Sequence, residues 1–226
     1  MAHANAVSKP VSETRINTFV AQVYLLMALG LAVTGFVAAW TSTNLQLLIR
    51  INRPGVAFGL FIVQIIVVVA LSASVMRMSP GLAFLLFLFY SALTGLTFGS
   101  LFAIYGETRI SQVFWITAGV FFLTSILGMT IKKDLSSFGF VIFMLLLGWT
   151  IAWFFSWFIP GMNLMLTYVG IALFVGLTAY DANRIRAIGQ QINDHPARGG
   201  LVVVGALALY LDFINLFLLL LRASNR

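Results

Sequence analysis

The sequence predicts an all-α integral membrane protein, a seven-transmembrane-helix bundle, and three observations carry that prediction. Of 226 residues, 61% are hydrophobic and only 8% are charged, which is too little polar surface for a soluble domain of this length. Seven separate windows each supply the roughly 20 apolar residues that a helix needs to cross the hydrocarbon core. The five prolines all fall outside those windows, as they should if the windows are helix interiors, where proline breaks the hydrogen-bond ladder.

Residues 1–18 are polar and carry Lys9, Glu13 and Arg15, so they are expected to form a cytoplasmic tail. The apolar run that follows is too long for the core of a signal peptide and reads as an uncleaved first span. The windows are Phe19–Trp40, Gly55–Met76, Gly81–Tyr105, Ser111–Ile131, Phe138–Ile159, Gly161–Tyr180 and Leu201–Leu221. Together they make one membrane domain over 19–222, with a short polar C-terminus at 223–226. Pro54-Gly55, Pro80-Gly81 and Pro160-Gly161 each stand where a span should begin, since proline suits the first helical turn. The connections are short and leave no room for a soluble domain. Nothing points to the proline-broken helices of transporters.

The net charge of +7 comes from 13 Lys and Arg against 6 Asp and Glu. These cations are scattered over loops and chain ends, a pattern that sets topology on an anionic membrane and does not suit nucleic acid. With the N-terminus cytoplasmic, that side receives Lys9, Arg15, Arg77, Lys132, Lys133, Arg184, Arg186 and Arg198. The other side receives Arg50, Arg53, Arg109, Arg222 and Arg226. The bias favours an N-terminus inside. A seventh window that dipped in and returned would strengthen it, by moving Arg222 and Arg226 inward. Cysteine is absent, which removes disulfides and thiol chemistry.

One charged residue lies within the seven windows: Asp212, in LYLDFINLFLLLL. An acid at a helix centre is costly, so it should face the bundle interior or a wet cavity. Either it is a protonated clamp to a neighbouring helix, aided by Asn215, or it titrates and contacts ions. Asp181 ends the sixth window in GLTAYDANRIR. It reads either as an interfacial acid paired with Arg184 or as a partner for Asp212, because spans six and seven should be antiparallel neighbours. Asp212 lies roughly 16 Å inside its span while Asp181 sits near the edge. The two meet only if span six runs on through Ile185, with Arg184 and Arg186 reaching outward, or if span seven starts deeper. Such a pair would titrate as a unit, nearly neutral with one shared proton and a cation trap with none. Two carboxylates fall short of the six to eight oxygens that calcium prefers, which suits a weak transit site. Arg77, in SASVMRMSPG, is either a positive-inside anchor or a cation competing for the acids.

The segments ALALYLDFINLFLLLLR, GLTAYDANRIR, KKDLSSFG and LFYSALTGLTFGSLF resemble the Bax inhibitor-1 family (transmembrane Bax inhibitor motif proteins), in its bacterial YccA/YbhL-like branch. The resemblance runs from about residue 15 to the end. It implies a seven-helix bundle with the last helix near the centre, in a multi-pass bacterial inner (plasma) membrane. It implies a pH-sensitive calcium leak in which a proton-sharing pair matches Asp181 and Asp212, with Tyr180 preceding the first. It also implies a basic latch matching Arg77, although MRMSPG fits that motif loosely. Calcium and protons would be the transported species, with no tightly bound cofactor.

Three other classes stand beside that one; the first, proton-coupled solute transport, also suits a protonatable pair, but the missing broken helices and repeats count against it. The resemblance also implies a membrane interaction protein that modulates a membrane-bound protease or quality-control complex; its function would rest in the tail and loops, so deleting residues 1 to 14 separates it from a leak. An intramembrane aspartyl protease would place its second acid in a GxGD motif. Leu209 and Leu211 stand where those glycines belong, and the chain is expected not to be an enzyme.

Smaller features read more plainly. Asp134 or Ser136, after Lys132 and Lys133, is expected to cap the fifth span. Gly95 and Gly99 suggest close packing within the molecule, and His195 beside Asp194 a solvated loop. Trp40 and Trp157 fit an aromatic belt. Gln64 and the hydroxyls of span three read equally as polar lining or interhelical bonds.

Overall fold

The structure is a computed structural model that describes residues 13–74, 77–131, 133, 135–156, 158–159, 161–191 and 198–225. All regular structure among them is helical, in the order α1 (Glu13–Ser42), α2 (Leu45–Ile51), α3 (Pro54–Ser74), α4 (Pro80–Thr130), a 3₁₀ turn (Leu135–Phe138), α5 (Gly139–Phe155), α6 (Met162–Gln191) and α7 (Arg198–Ala223). Helices are the expected solution, because a backbone in lipid must satisfy its own hydrogen bonds. Five of them, α1, α3, α4, α6 and α7, are long and apolar enough to cross a bilayer, and α5 is shorter. The expectations for residues 1–12, Lys132, Asp134, Trp157, Asp194 and His195, and for the Ser136 side chain, lie outside what is described.

The boundary chemistry follows the sequence. Pro54 opens α3. Pro80 opens α4, where the Ser79 hydroxyl accepts from Leu82 N at 3.3 Å, filling one of the amides left free at a helix start. The 7-residue α2 was not foreseen; Asn44 caps it by accepting from Leu47 N at 3.0 Å. α1 begins at Glu13, inside the stretch expected to be tail.

The third and fourth windows form a continuous helical run interrupted at Gly106, where φ is 74° and ψ is 156°. That conformation is open to glycine and strained for residues with a Cβ. Contacts on either side show the chain folding back there. In the first arm, Phe87 packs edge-on to Tyr210 with ring centroids 5.6 Å apart, and Phe98 stacks on Phe217 at 6.2 Å, so this arm runs with α7. In the second arm, Arg109 donates to Asn225 at 3.0 Å and Phe121 meets Phe213 at 5.5 Å, so that arm runs against it.

α7 is an unbroken helix of 26 residues, about 39 Å long, and does not turn back on itself. It is also the most enclosed, with 56% of its apolar window buried against 11% for α3, and it packs on α6, both arms of α4, and α1. Small residues make the close approaches. A Cβ on Gly95 would fall 2.7 Å from Thr34 O, and one on Gly99 would fall 2.5 Å from Thr41 Cγ2, so this glycine pair seats α1 against α4 within the molecule. The Thr34 hydroxyl donates to Ser91 O at 2.9 Å and lies 2.6 Å from the fully buried Tyr210 hydroxyl, tying three helices together.

Candidate functional site

The acids predicted from sequence meet. α6 does not stop at Tyr180 but runs to Gln191, as pairing required, which carries Asp181 into the bundle opposite Asp212 on α7. Asp212 is 2% exposed and Asp181 is half-buried. Their carboxyl groups lie within hydrogen-bonding reach of each other. Asp212 Oδ2 is sealed from solvent and receives no hydrogen bond from any donor among the described residues. Two carboxylates can hydrogen-bond to each other only with a proton between them.

The supporting residues sort differently from expectation. Arg184, one turn after Asp181, is the cation electrostatically coupled to that acid, and it is exposed. Asn215 donates back to Leu211 O on its own helix at 2.8 Å and therefore does not clamp Asp212 to a neighbour. The Tyr180 hydroxyl sits against Gly139, where a Cβ would approach it to 2.5 Å, so this tyrosine braces α5 against α6. Arg77 is exposed in the turn that follows α3 and makes no hydrogen bond or ion pair with either acid. Among the described residues no cluster of three or more Asp, Glu, His or Cys comes together, so any cation at the pair would complete its shell with water or backbone oxygens.

Sequence reasoning missed Asn183. It is 5% exposed, and its amide donates to Gly128 O at 3.1 Å, Ile131 O at 2.8 Å and Lys133 O at 3.2 Å, while its oxygen accepts from Leu135 N at 3.1 Å. It thus gathers the carbonyls left free at the end of α4. Arg186 adds a bond from Nη1 to Met129 O. The signal was the spacing: Asn183 is two residues from Asp181, about 200° around a helix, so the two must face different neighbours. Here Gly128 lies so close to α6 that a Cβ would fall 2.2 Å from Ala179 O.

Near the acids, α1 contributes Tyr24 and the second arm of α4 contributes Ser125. Their hydroxyls are neighbours. Both hydroxyls are buried without a well-formed hydrogen bond among the described residues. Both line a cavity of about 480 Å³ between α1, α4 and α6, with Arg186 also on its wall.

These features define a class: a multi-pass α-helical membrane protein with a buried acid pair on its two C-terminal helices. The family model described as "Inhibitor of apoptosis-promoting Bax1" matches residues 16–225, and the chain belongs to this Bax inhibitor-1 family. It is 42% identical over 213 residues to the inner membrane protein YbhL of Escherichia coli K12, covering 92% of this chain and 91% of that protein. It is 37% identical over 224 residues to an uncharacterized protein of Deinococcus radiodurans, covering 97% and 95%. An uncharacterized membrane protein of Streptococcus pyogenes serotype M1 is 33% identical over 220 residues, covering 95% of each.

Proposed function

We propose that this protein is a pH-sensitive cation leak, with calcium as the cation it passes, and that Asp181 and Asp212 are its ion and proton site. The observation that supports this reading is the buried Asp212 carboxyl facing Asp181 with no donor on Oδ2. With one proton the pair is near neutral and can survive in a dry interior. Without it, two negative charges share one site, and a cation is drawn in. The incomplete oxygen shell suits passage better than storage.

The fold-back at Gly106 and the length of α5 support seven crossings: α1, α3, the two arms of α4, α5, α6 and α7. The basic residues favour a cytoplasmic N-terminus. Arg77 would act as a latch by swinging towards the acids. Such a motion needs a loosely held α3, and α3 packs mainly on α4 and the short α2 among the described elements. The leak itself requires no covalent chemistry and no resident cofactor.

The test is calcium flux in proteoliposomes across mildly acidic to mildly alkaline pH. Asp181→Asn and Asp212→Asn are expected to flatten the pH response, since an amide cannot exchange the shared proton. Arg77→Ala is expected to raise flux where the parent is closed. Flux and pH profile unchanged in all three variants would rule out the mechanism.

A further inference from the structure

We propose that Asn183 is the positioning residue of the acid pair: by fastening one face of α6 to the end of α4, it fixes the rotation at which the opposite face presents Asp181 to Asp212. Its part in ion and proton exchange rests on the function proposed above, whereas the placement it enforces is a property of the fold.

What marks Asn183 is where its bonds go. A polar side chain inside a helix commonly bonds back to its own backbone. Asn215 does so to Leu211 O, and Thr178, five residues before Asn183, does so to Phe174 O, both at 2.8 Å. The four bonds of Asn183 leave its own helix instead. All reach the stretch from Gly128 to Leu135, where α4 ends and its last carbonyls lack partners of their own. Arg186, three residues on and therefore on the same face, adds its bond to Met129 O. Gly128 lets the two backbones close up at this point, since a Cβ there would collide with Ala179 O.

The opposite face of the same turn looks to α7. Asp181 lies about 200° around the helix from Asn183, and Ile185 lies about 40° from Asp181. Ile185 Cγ1 stands 3.5 Å from where a Cβ of Gly205 would be, and Gly205 is seven residues before Asp212, on the same side of α7. One turn of α6 is thus nailed to α4 on one side and offers its acid to α7 on the other. A slip of α6 by one residue is a rotation of about 100°, which carries a side chain roughly 5 Å, past the reach of a hydrogen bond. Apolar packing resists that slip weakly, because lipid tails substitute readily for apolar side chains. The directed bonds of Asn183 resist it strongly. Turned away, they would leave a side chain that is 5% exposed, and the end of α4, with buried polar groups unpaired.

The chain contains no cysteine, so Asp181→Cys combined with Asp212→Cys gives two thiols whose disulfide formation under mild oxidation reads their proximity. With Asn183→Ala added, the rate is expected to fall about tenfold or more; with Asn183→Gln, which keeps an amide there, it should fall less than about threefold. Asn183→Ser retains one donor and is expected between the two, and it replaces Asn183→Ala if that protein does not fold. Leu93→Ala, at a buried site in the first arm of α4, is the control for general loosening: it should lower the melting temperature and leave the rate unchanged. A folded, monodisperse Asn183→Ala or Asn183→Ser protein that cross-links at the parent rate would overturn the proposal. So would an equal fall in Leu93→Ala, or a cysteine pair that does not cross-link with Asn183 in place. The cross-link is read without calcium. A parent protein that passes no calcium would therefore sink the leak, while a slowed cross-link in Asn183→Ala would still uphold the positioning.

Discussion

α3 and α7 are similar in length and both strongly apolar, with window hydropathies of 2.7 and 2.2, yet 11% of one window is buried and 56% of the other. The more hydrophobic helix is the peripheral one. In water that ranking would be reversed, but lipid tails are as apolar as leucine and give a greasy helix no reason to enter the bundle. What draws α7 inward is fit and polarity. Gly205 admits Val23 so closely that a Cβ would stand 3.2 Å from its methyls, and Tyr210 and Asp212 find partners on α1 and α6. The glycines of α3, Gly55 and Gly59, have nothing within 4 Å of where a Cβ would be. Its Phe58, Phe61 and Ile66 are exposed, as lipid-facing residues should be.

This contrast can be broken by matched substitutions. The largest effect is expected from Gly205→Leu, which forces a branched side chain into Val23 and Ile185; it should abolish the monodisperse peak in size-exclusion chromatography, while Gly59→Leu on α3 leaves it intact. Equal behaviour would mean that α7 is not held by close packing. Next, Leu209→Ala at a fully buried site should cost about 2 kcal/mol in lost packing. Ile66→Ala, at a position 59% exposed, should cost under about 0.5 kcal/mol in the same detergent-unfolding assay. The smallest pair is polar. Tyr210→Phe removes the 2.6 Å contact with Thr34 and should cost about 1 kcal/mol. Gln64→Leu removes an Nε2 that has no hydrogen-bond partner among the described residues and should leave the melting temperature unchanged or slightly higher. A destabilised Gln64→Leu would show α3 to be more than a lipid-facing helix.

Much of the site was legible because its cost is local. A lone carboxylate in an apolar window is expensive wherever it ends up, so Asp212 declares itself, and the need to neutralise it points to Asp181. The level at which the two meet depended on α6 continuing past Tyr180, which hydropathy hides because Asn183, Arg184 and Arg186 look like a membrane edge. Asn183, Tyr24 and Ser125 were not singled out, since a hydroxyl or amide in a helix is usually satisfied by its own backbone. Only neighbours brought from far along the chain show that Asn183 gathers the end of α4 while Ser125 comes to lie beside Tyr24. The reversal near Gly106 was expected between the third and fourth windows, but its form was not. The polar residues around it read as a loop between two spans, whereas helical geometry resumes on both sides of a single glycine with positive φ.

The residues alone determined that this chain lives in a bilayer as helices, because apolar runs of that length have no other way to satisfy their peptide groups. They also determined that a carboxylate must be neutralised within it. Only the tertiary structure decided which helix lies inside, which acid faces which, and which hydroxyls go without a partner. Lipid and protein interior look alike to a hydrophobic side chain, so the choice between them falls to the shape of small residues and the pairing of the few polar ones.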